Sequence, residues 1–388
     1  MKILSIETSC DETGIALVEA SGGLKHPRFK VLKNLISSQI KIHRPFGGVV
    51  PNLAKREHLK NLPILYRKIF GEATAKQNAK AARIKNVDLI AVTTGPGLEP
   101  ALWAGITFAK ELAKKYKKPL IGANHLNGHL YSFLLPQKSV PRAAFPSPRM
   151  FPAIALLVSG GHTILLKMDS LTKWKKLGET RDDAAGEAFD KVARMLKLPY
   201  PGGPEIERLA LRSSAEAHSK PLSKGEKPSI NFPRPMINTK DYDFSFSGLK
   251  TSVFYYLRDI EAKTRENVRE NPRKVKIRTN SQIDSHGFAS TADIAASFQQ
   301  AVVDVLVSKT LRAAREYGAR SIILCGGVAA NKSLRKMLKA ECDMSHLTFY
   351  IPHNEYNGDN AAMIAAAGYF AHLKNKKLPA VANGDLGI

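Results

Sequence analysis

The chain has 388 residues, 44% of them apolar, and carries 59 Lys+Arg against 34 Asp+Glu, a formal net charge of +25. Such a length is too great for one small core and suggests two domains. No apolar run approaches the ~20 residues of a helical membrane span, so a soluble chain is expected, and the cationic excess favours a polyanionic partner or else reflects a solubility-driven surface.

Cys10, Cys325 and Cys342 are odd in number and lack CxxC spacing, so neither a disulfide framework nor a zinc finger is indicated. The opening residues lead straight into a strand pattern without signal-peptide features, and a cytoplasmic location is expected. Lys2 to Glu7 alternates as a strand, Thr8 to Thr13 is a polar turn, Gly14 to Glu19 is the returning strand and Lys30 to Ser37 a third. Leu53 to Phe70 has helical spacing with a basic outer face. Val87 to Thr93 is an apolar strand ending in Gly95-Pro96-Gly97, Ala101 to Tyr116 a helix, and Pro119 to Ala123 a strand. Residues 136–152, rich in Pro, Ser and Arg, read as a linker.

The same order then restarts. Ala153 to Ser159 is a strand, Gly160 to Thr163 a turn, Ile164 to Met168 the return and Asp183 to Leu196 a helix. After an interruption between Pro199 and Asp293, much of it irregular, Ser321 to Cys325 is a strand, a helix starts near Ala330, Leu347 to Ile351 is the last strand and Asp359 to His372 the last helix. The basic run Lys263 to Arg278 reads as a solvated segment or an RNA-contacting arm. Two such halves leave a cleft between them, lined by glycine-containing turns whose backbone N–H groups suit a phosphate-bearing ligand.

Within Asn124 to Leu130, His125 and His129 are four apart, so a helix projects both imidazoles from one face, close enough to share a metal ion. An isolated HxxxH is also met as a surface coincidence, and two histidines are not a closed site. A transition metal usually takes at least one more protein ligand, often a carboxylate.

Ile6 to Thr13, Gly47-Gly48-Val49-Val50-Pro51, Gly95 to Leu98, His125 to His129, Leu157 to Thr163, Asp182 to Lys191, Tyr200 to Pro204, Phe244 to Thr251 and Asp359-Asn360 together resemble, in order, the TsaD family of tRNA adenosine threonylcarbamoyltransferases. The resemblance runs from about residue 2 to about residue 370. It implies an α/β, actin-like and sugar-kinase-like (ASKHA) two-lobed fold of two RNase H-like domains. The lobes are expected at 1–140 and 141–355, the second with an insertion at about 199–292, and 356–388 as a last helix packing back towards the first lobe. The implied reaction moves a threonylcarbamoyl group from threonylcarbamoyl-AMP to the N6 amine of the adenosine just 3′ of the anticodon in tRNAs reading ANN codons, releasing AMP.

Residue by residue, the resemblance places metal ligands at His125, His129 and Asp359, holding one divalent ion, Fe2+ or Zn2+. Asp359 is also suited to a helix N-terminus. Substrate positions fall on Leu157, Val158, Ser159, Gly160, Gly161, Asp190, Gly203, Glu207 and Asn331. Each has a plainer reading beside it: the Ser159-Gly160-Gly161 turn as a hairpin, Asp190 as a solvated partner of Glu187, Gly203 as a loop breaker and Asn331 as a helix cap. Asp11 and Glu12 are candidates for taking the amine proton, and Cys10 reads as a small packed residue rather than a nucleophile.

Departures from the family pattern are Asn127 where relatives have Glu, a longer basic segment around 262–286, an extended linker, and a segment after Lys377 without the usual Pro/Arg-containing end. A zinc protease would want Glu directly after His125, where Leu126 stands. An ATPase or sugar kinase on the same fold accounts for the glycine turns but not for two His and an Asp. A non-catalytic scaffold of the family lacks the His pair. The resemblance also implies work with a TsaB-like paralogue and a TsaE-like ATPase, and no membrane partner.

Overall fold

The computed structural model describes residues 1–70, 86–136, 148–219, 230–270, 290–375 and 378–388. Its frame is one five-stranded sheet made twice. In the first, β1 (Lys2–Glu7), β2 (Glu12–Ser21), β3 (Arg28–Ser38), β4 (Leu89–Gly95) and β5 (Leu120–Asn124) lie in the order β3-β2-β1-β4-β5. β1 and β2 are antiparallel, as are β2 and β3, while β4 runs parallel to both β1 and β5. In the second, β6 (Ala153–Val158), β7 (Thr163–Ser170), β8 (Lys173–Glu179), β9 (Ser321–Cys325) and β10 (Thr348–Tyr350) repeat that order and those directions. The central strands β4, β6 and β9 are buried along their whole length, because helices cover both faces.

The helices are α1 (Pro51–Phe70), α2 (Glu99–Tyr116), α3 (His125–Tyr131), α4 (Ala185–Met195), α5 (Gly202–Ser219), α6 (Ser247–Glu270), α7 (Thr291–Glu316), α8 (Lys332–Met344) and α9 (Ala361–Leu373). The topological repeat predicted from the sequence is present, with an additional strand. β8 is Lys-rich and half-exposed at a sheet edge, so it lacks the apolar alternation that marks the others. The interruption is also more regular than expected. It carries α5, α6 and the start of α7, and residues 263–270 of the basic run are helical; 271–278 lie outside the described residues, as do 137–147 of the linker.

α9 reads AAMIAAAGYFAHL, apolar on all sides, and a helix of that kind must be enclosed. It is: residues 361–370 are buried in one core with Ile3, Ala16, Ala91 and Ile121 of the first sheet and Ala155, Leu157, Ile323 and Cys325 of the second. Small side chains permit the approach. A Cβ on Gly368 would lie 2.7 Å from Ala91 Cβ, and one on Gly128 of α3 would lie 3.0 Å from Met363 Cγ. Met363, Ile364, Tyr369 and Phe370 are each worth ~1.5–3 kcal/mol when buried, so packing rather than any polar contact fastens the helix.

Beneath the Thr8–Thr13 turn lies a buried polar chain. His58 Nε2–H donates to Cys10 O at 2.9 Å and its Nδ1 accepts from Thr13 Oγ1 at 2.8 Å; Gln39 Oε1 accepts from His43 Nε2 at 3.0 Å. Burial lowers the pKa of His58, so the folded protein keeps it neutral, whereas the unfolded chain takes up a proton near about 6.5. The unfolded state then binds more protons, and this contribution to stability is present above about pH 6.5 and lost as pH falls below it. Thermal unfolding of His58→Gln should therefore show a shallower decline from about pH 7 to about pH 5 than the parent. Identical slopes would remove His58 from the account.

Candidate metal centre and adjoining cleft

α3 starts where β5 ends. Asn124 adopts an extended conformation and caps the helix, its Oδ1 accepting from Asn127 N at 3.0 Å, so His125 is the first helical residue and His129 the fifth. The rings meet edge to face, their centroids 4.7 Å apart. Asp359 arrives from the other end of the chain, immediately before Asn360, which caps α9 by accepting from Met363 N at 3.0 Å. Asp359 Oδ1 lies 3.5 Å from His125 Nε2 and 3.1 Å from His129 Nε2, and one donor atom from each of the three residues falls within 4.8 Å of the others.

The tautomer of His125 is fixed from behind. Its Nδ1 lies 3.1 Å from Glu7 Oε2 and 3.2 Å from Ser9 Oγ; a carboxylate only accepts, so Nδ1 carries a proton and Nε2 faces the centre, where a cation would displace any proton it holds. Glu7 is fully buried, its Oε2 also accepting from Thr93 Oγ1 at 2.7 Å and its Oε1 from Ser9 N at 2.5 Å. Both ring nitrogens of His129 are buried, and Nε2 has Asp359 Oδ1 at 3.1 Å beside it. A buried imidazole nitrogen is costly to leave without a partner, and a cation between the rings and Asp359 would engage Nε2. The charges agree. Burial would lower the pKa of His125, but Asp359 and Glu7 raise it to about 9; burial would raise that of Asp359, but His125 and His129 lower it to about 2.

The carboxylates named as proton acceptors sit at the rim. Glu12 is pushed up to about 10, chiefly by burial and then by the charges of Asp11 and Asp359, and its Oε1 accepts from Ser38 Oγ at 3.2 Å. Asp11 Oδ2 accepts from Tyr200 Oη at 3.4 Å. The Cys10 thiol is held well above its ordinary value, first by burial, which keeps it protonated as expected for a packed residue.

The residues expected to bind substrate lie at the end of β6 and along α4, α5 and the start of α8. Leu157 and Val158 end β6, and Ser159 closes the turn, its N donating to His162 O at 2.8 Å and its Oγ accepting from His162 N at 3.1 Å. α4 starts against this turn, Gly186 N donating to Ser159 O at 3.2 Å. Asp190 Oδ1 accepts from Gly202 N at 2.7 Å, at the start of α5. On that helix Glu207 Oε1 accepts from Lys332 N. Next to Lys332, Asn331 caps α8 by accepting from Leu334 N at 2.9 Å and donates to Gln299 Oε1 at 2.8 Å. Asp190, Gly203, Glu207 and Asn331 are thus linked through consecutive helix starts.

A Cβ built on Gly160, Gly161, Gly203 or Gly327 would meet nothing within 4 Å. Packing does not demand glycine at these places, so bare backbone there leaves room for something else. Gly327, Glu7 and His162 were not singled out from the sequence, though all three lie inside or beside motifs that were. His162 is lowered to about 4 by burial and then by the charges of His125 and His129.

A sheet of this order built twice, with donor groups gathered where the halves meet, defines an actin-like, sugar-kinase-like two-lobed α/β fold. Crystalline T. kodakarensis HypF shares it with a TM-score of 0.53 at 15% identity, over 97% of this chain and 48% of that one. The profile of TsaD, tRNA N6-adenosine threonylcarbamoyltransferase, matches residues 30–366. Relatives of that name are 44% identical over 95% of this chain and 92% of their own in Fervidobacterium nodosum, and 41% identical over 100% and 98% in Dictyoglomus turgidum. The chain belongs to the TsaD family.

Glu7→Gln removes the negative charge behind His125 and turns one of the two acceptor oxygens into an N–H donor, while nearly preserving volume. It should weaken divalent-metal binding about tenfold, read by equilibrium titration of metal-free protein. An unchanged dissociation constant would assign Glu7 to the core alone.

Proposed function

We propose that the chain transfers threonylcarbamoyl from threonylcarbamoyl-AMP to the N6 amine of the adenosine just 3′ of the anticodon in tRNAs reading ANN codons. The observation that carries the reading is the meeting of His125, His129 and Asp359, from opposite ends of the chain, beside bare glycines and helix starts that suit a nucleotide. Its lobes are taken as 1–140 and 141–355 with the segment 356–388 returning to the first. A kinase on this fold has no use for the His pair.

In the reaction the amine nitrogen bonds to the carbamoyl carbon, the carbon–oxygen bond to phosphate breaks, AMP leaves with the electron pair, and the amine loses one proton. His125, His129 and Asp359 would hold one divalent cation, and their mixed imidazole and carboxylate donors suit Fe2+ or Zn2+. Such a cation supplies Lewis acidity and positive charge for the carbonyl and the leaving phosphate. Backbone N–H groups of Gly160 and Gly161, in the turn that Ser159 closes, bind phosphate oxygens. Asp190, Gly203, Glu207 and Asn331 receive the nucleoside, and Asp11 takes the amine proton, or Glu12 does when its raised carboxyl is ionised.

The net charge of +25 suits tRNA. α1 and α2 expose Leu59 and Trp103 among lysines and arginines, a mixed surface suited to protein partners such as a TsaB-like paralogue, with a TsaE-like ATPase completing the assembly. Among the described residues no helix is long and apolar enough to cross a membrane, and tRNA as substrate agrees with a cytoplasmic site of action.

The test is reconstitution with threonylcarbamoyl-AMP, unmodified ANN-decoding tRNA and partner proteins, the modified nucleoside being read by mass spectrometry. Wild type should yield product and His125→Ala none; no product from wild type with metal bound would end the transferase reading. Glu12→Ala with an undiminished rate would leave the proton to Asp11. Gly161→Val should change stability by less than about 0.5 kcal/mol yet weaken AMP binding; retained AMP affinity would move the phosphate site elsewhere.

A further inference from the structure

Segment 378–388 is bound along its length to the first sheet. Gly122 N donates to Leu378 O at 2.9 Å, which adds an antiparallel bridge at β5; Asn383 N donates to Thr94 O at 2.8 Å, and Gly97 N donates to Gly384 O at 3.1 Å. Ala380 and Ala382 pack against the outer core of this sheet, and Ile388 against the core that both sheets share. The sheet has been cleared to receive it. A Cβ on Gly95 would stand 1.9 Å from Asn383 O, and one on Gly122 would stand 2.7 Å from Pro379 O. Side chains at these two positions would expel the segment.

Its path ends at the metal centre. Asn124 Nδ2 donates to Gly387 O at 2.8 Å, while Oδ1 of the same amide caps α3. One planar group therefore joins the segment to the helix that carries His125 and His129. The cap needs only an acceptor, which Ser or Asp supplies as well as Asn. The donor half of the amide is used only by the segment. It also holds the Gly95–Gly97 turn, so β4 and β5, the two strand ends beside His125, are clamped from outside.

We propose that residues 378–388 are a positioning strap for α3, and that Asn124 is the positioning residue through which they set the two histidines for the cation. The inference rests on the metal reading of His125, His129 and Asp359. A strap at the edge of a sheet is a weakly packed element that opens more readily than the core. Holding α3 by its first turn keeps both imidazoles aimed without contacting either.

The experiment is titration of metal-free protein with Zn2+ in competition with a chromophoric chelator, on four proteins: the full chain, the chain ended after Ala382, Asn124→Ser, and the two changes combined. Asn124→Ser keeps the cap acceptor and loses the donor. Each single change should raise the dissociation constant about tenfold, and the combination should be no weaker than either alone, because both cut one connection. A shortened chain that binds Zn2+ as tightly as the full one overturns the proposal, as do additive effects. If the shortened chain does not fold, Asn124→Ser decides: unchanged affinity overturns the strap, weakened affinity supports it. His129→Ala is the control. Zn2+ affinity surviving that change would refute the metal reading itself and not the strap.

Discussion

The close approach of α9 to the first sheet and to α3 is the constraint on which the site depends. Ser5 Oγ donates to Ala361 O at 2.6 Å, and a Cβ on Gly14 would lie 3.1 Å from Ala361 N, so the helix starts almost on the backbone of β1 and β2. That contact fixes where residues 359 and 360 emerge. Asp359 reaches the histidines because alanines and glycines let the two backbones near one another, not because opposite charges draw a loop inward. A half-buried carboxylate held between two buried imidazoles gives up part of its hydration, and packing worth several kcal/mol supplies the force that holds it there.

A second pattern is that polar side chains at the cleft are already employed. Asp190, Glu207 and Asn331 each satisfy backbone N–H groups at a helix start. The plainer reading of Asn331 as a helix cap describes its atoms, whereas Asp190 is not a solvated partner of Glu187 but the acceptor for Gly202 N, and neither fact weakens the case for a nucleotide. Helix starts need acceptors, and a phosphate or ribose oxygen is one more acceptor of the same kind. Ser159 does likewise for its turn. The cleft is thus preorganised by groups whose positions are set before anything binds.

The repeated sheet was legible because its central strands are continuous apolar runs, such as Ala153–Val158, and because both hairpins carry polar turns. β8 was not, since a Lys-rich edge strand has one packed face and no period. α7 carries its signal in the Ser290–Asp293 capping box and a long buried stripe, but its start falls in the interruption read as irregular and no element was expected between Asp293 and Ser321. The histidine spacing announced a shared face. No local pattern connects Asp359 to it, because that distance is closed by tertiary packing, and only the family resemblance bridged it. Glu7 looked like an ordinary strand residue; its role as a buried acceptor appears only when β1, β4 and α3 are assembled. His162 was hidden by its place in a turn.

The enclosure of α9 also bears on how the protein is made. Ser5 and Ala361 are 356 positions apart, and the inner face of the first sheet, including Ile3, Ala16, Ala91 and Ile121, shares its core with that late helix. A ribosome adds residues at about 5–20 per second, so the first half leaves the exit tunnel many seconds before its own cover exists. During that interval its five strands present an apolar face to the cell. This chain therefore cannot complete one half and then the other, and the newborn first half is the species most in need of a chaperone.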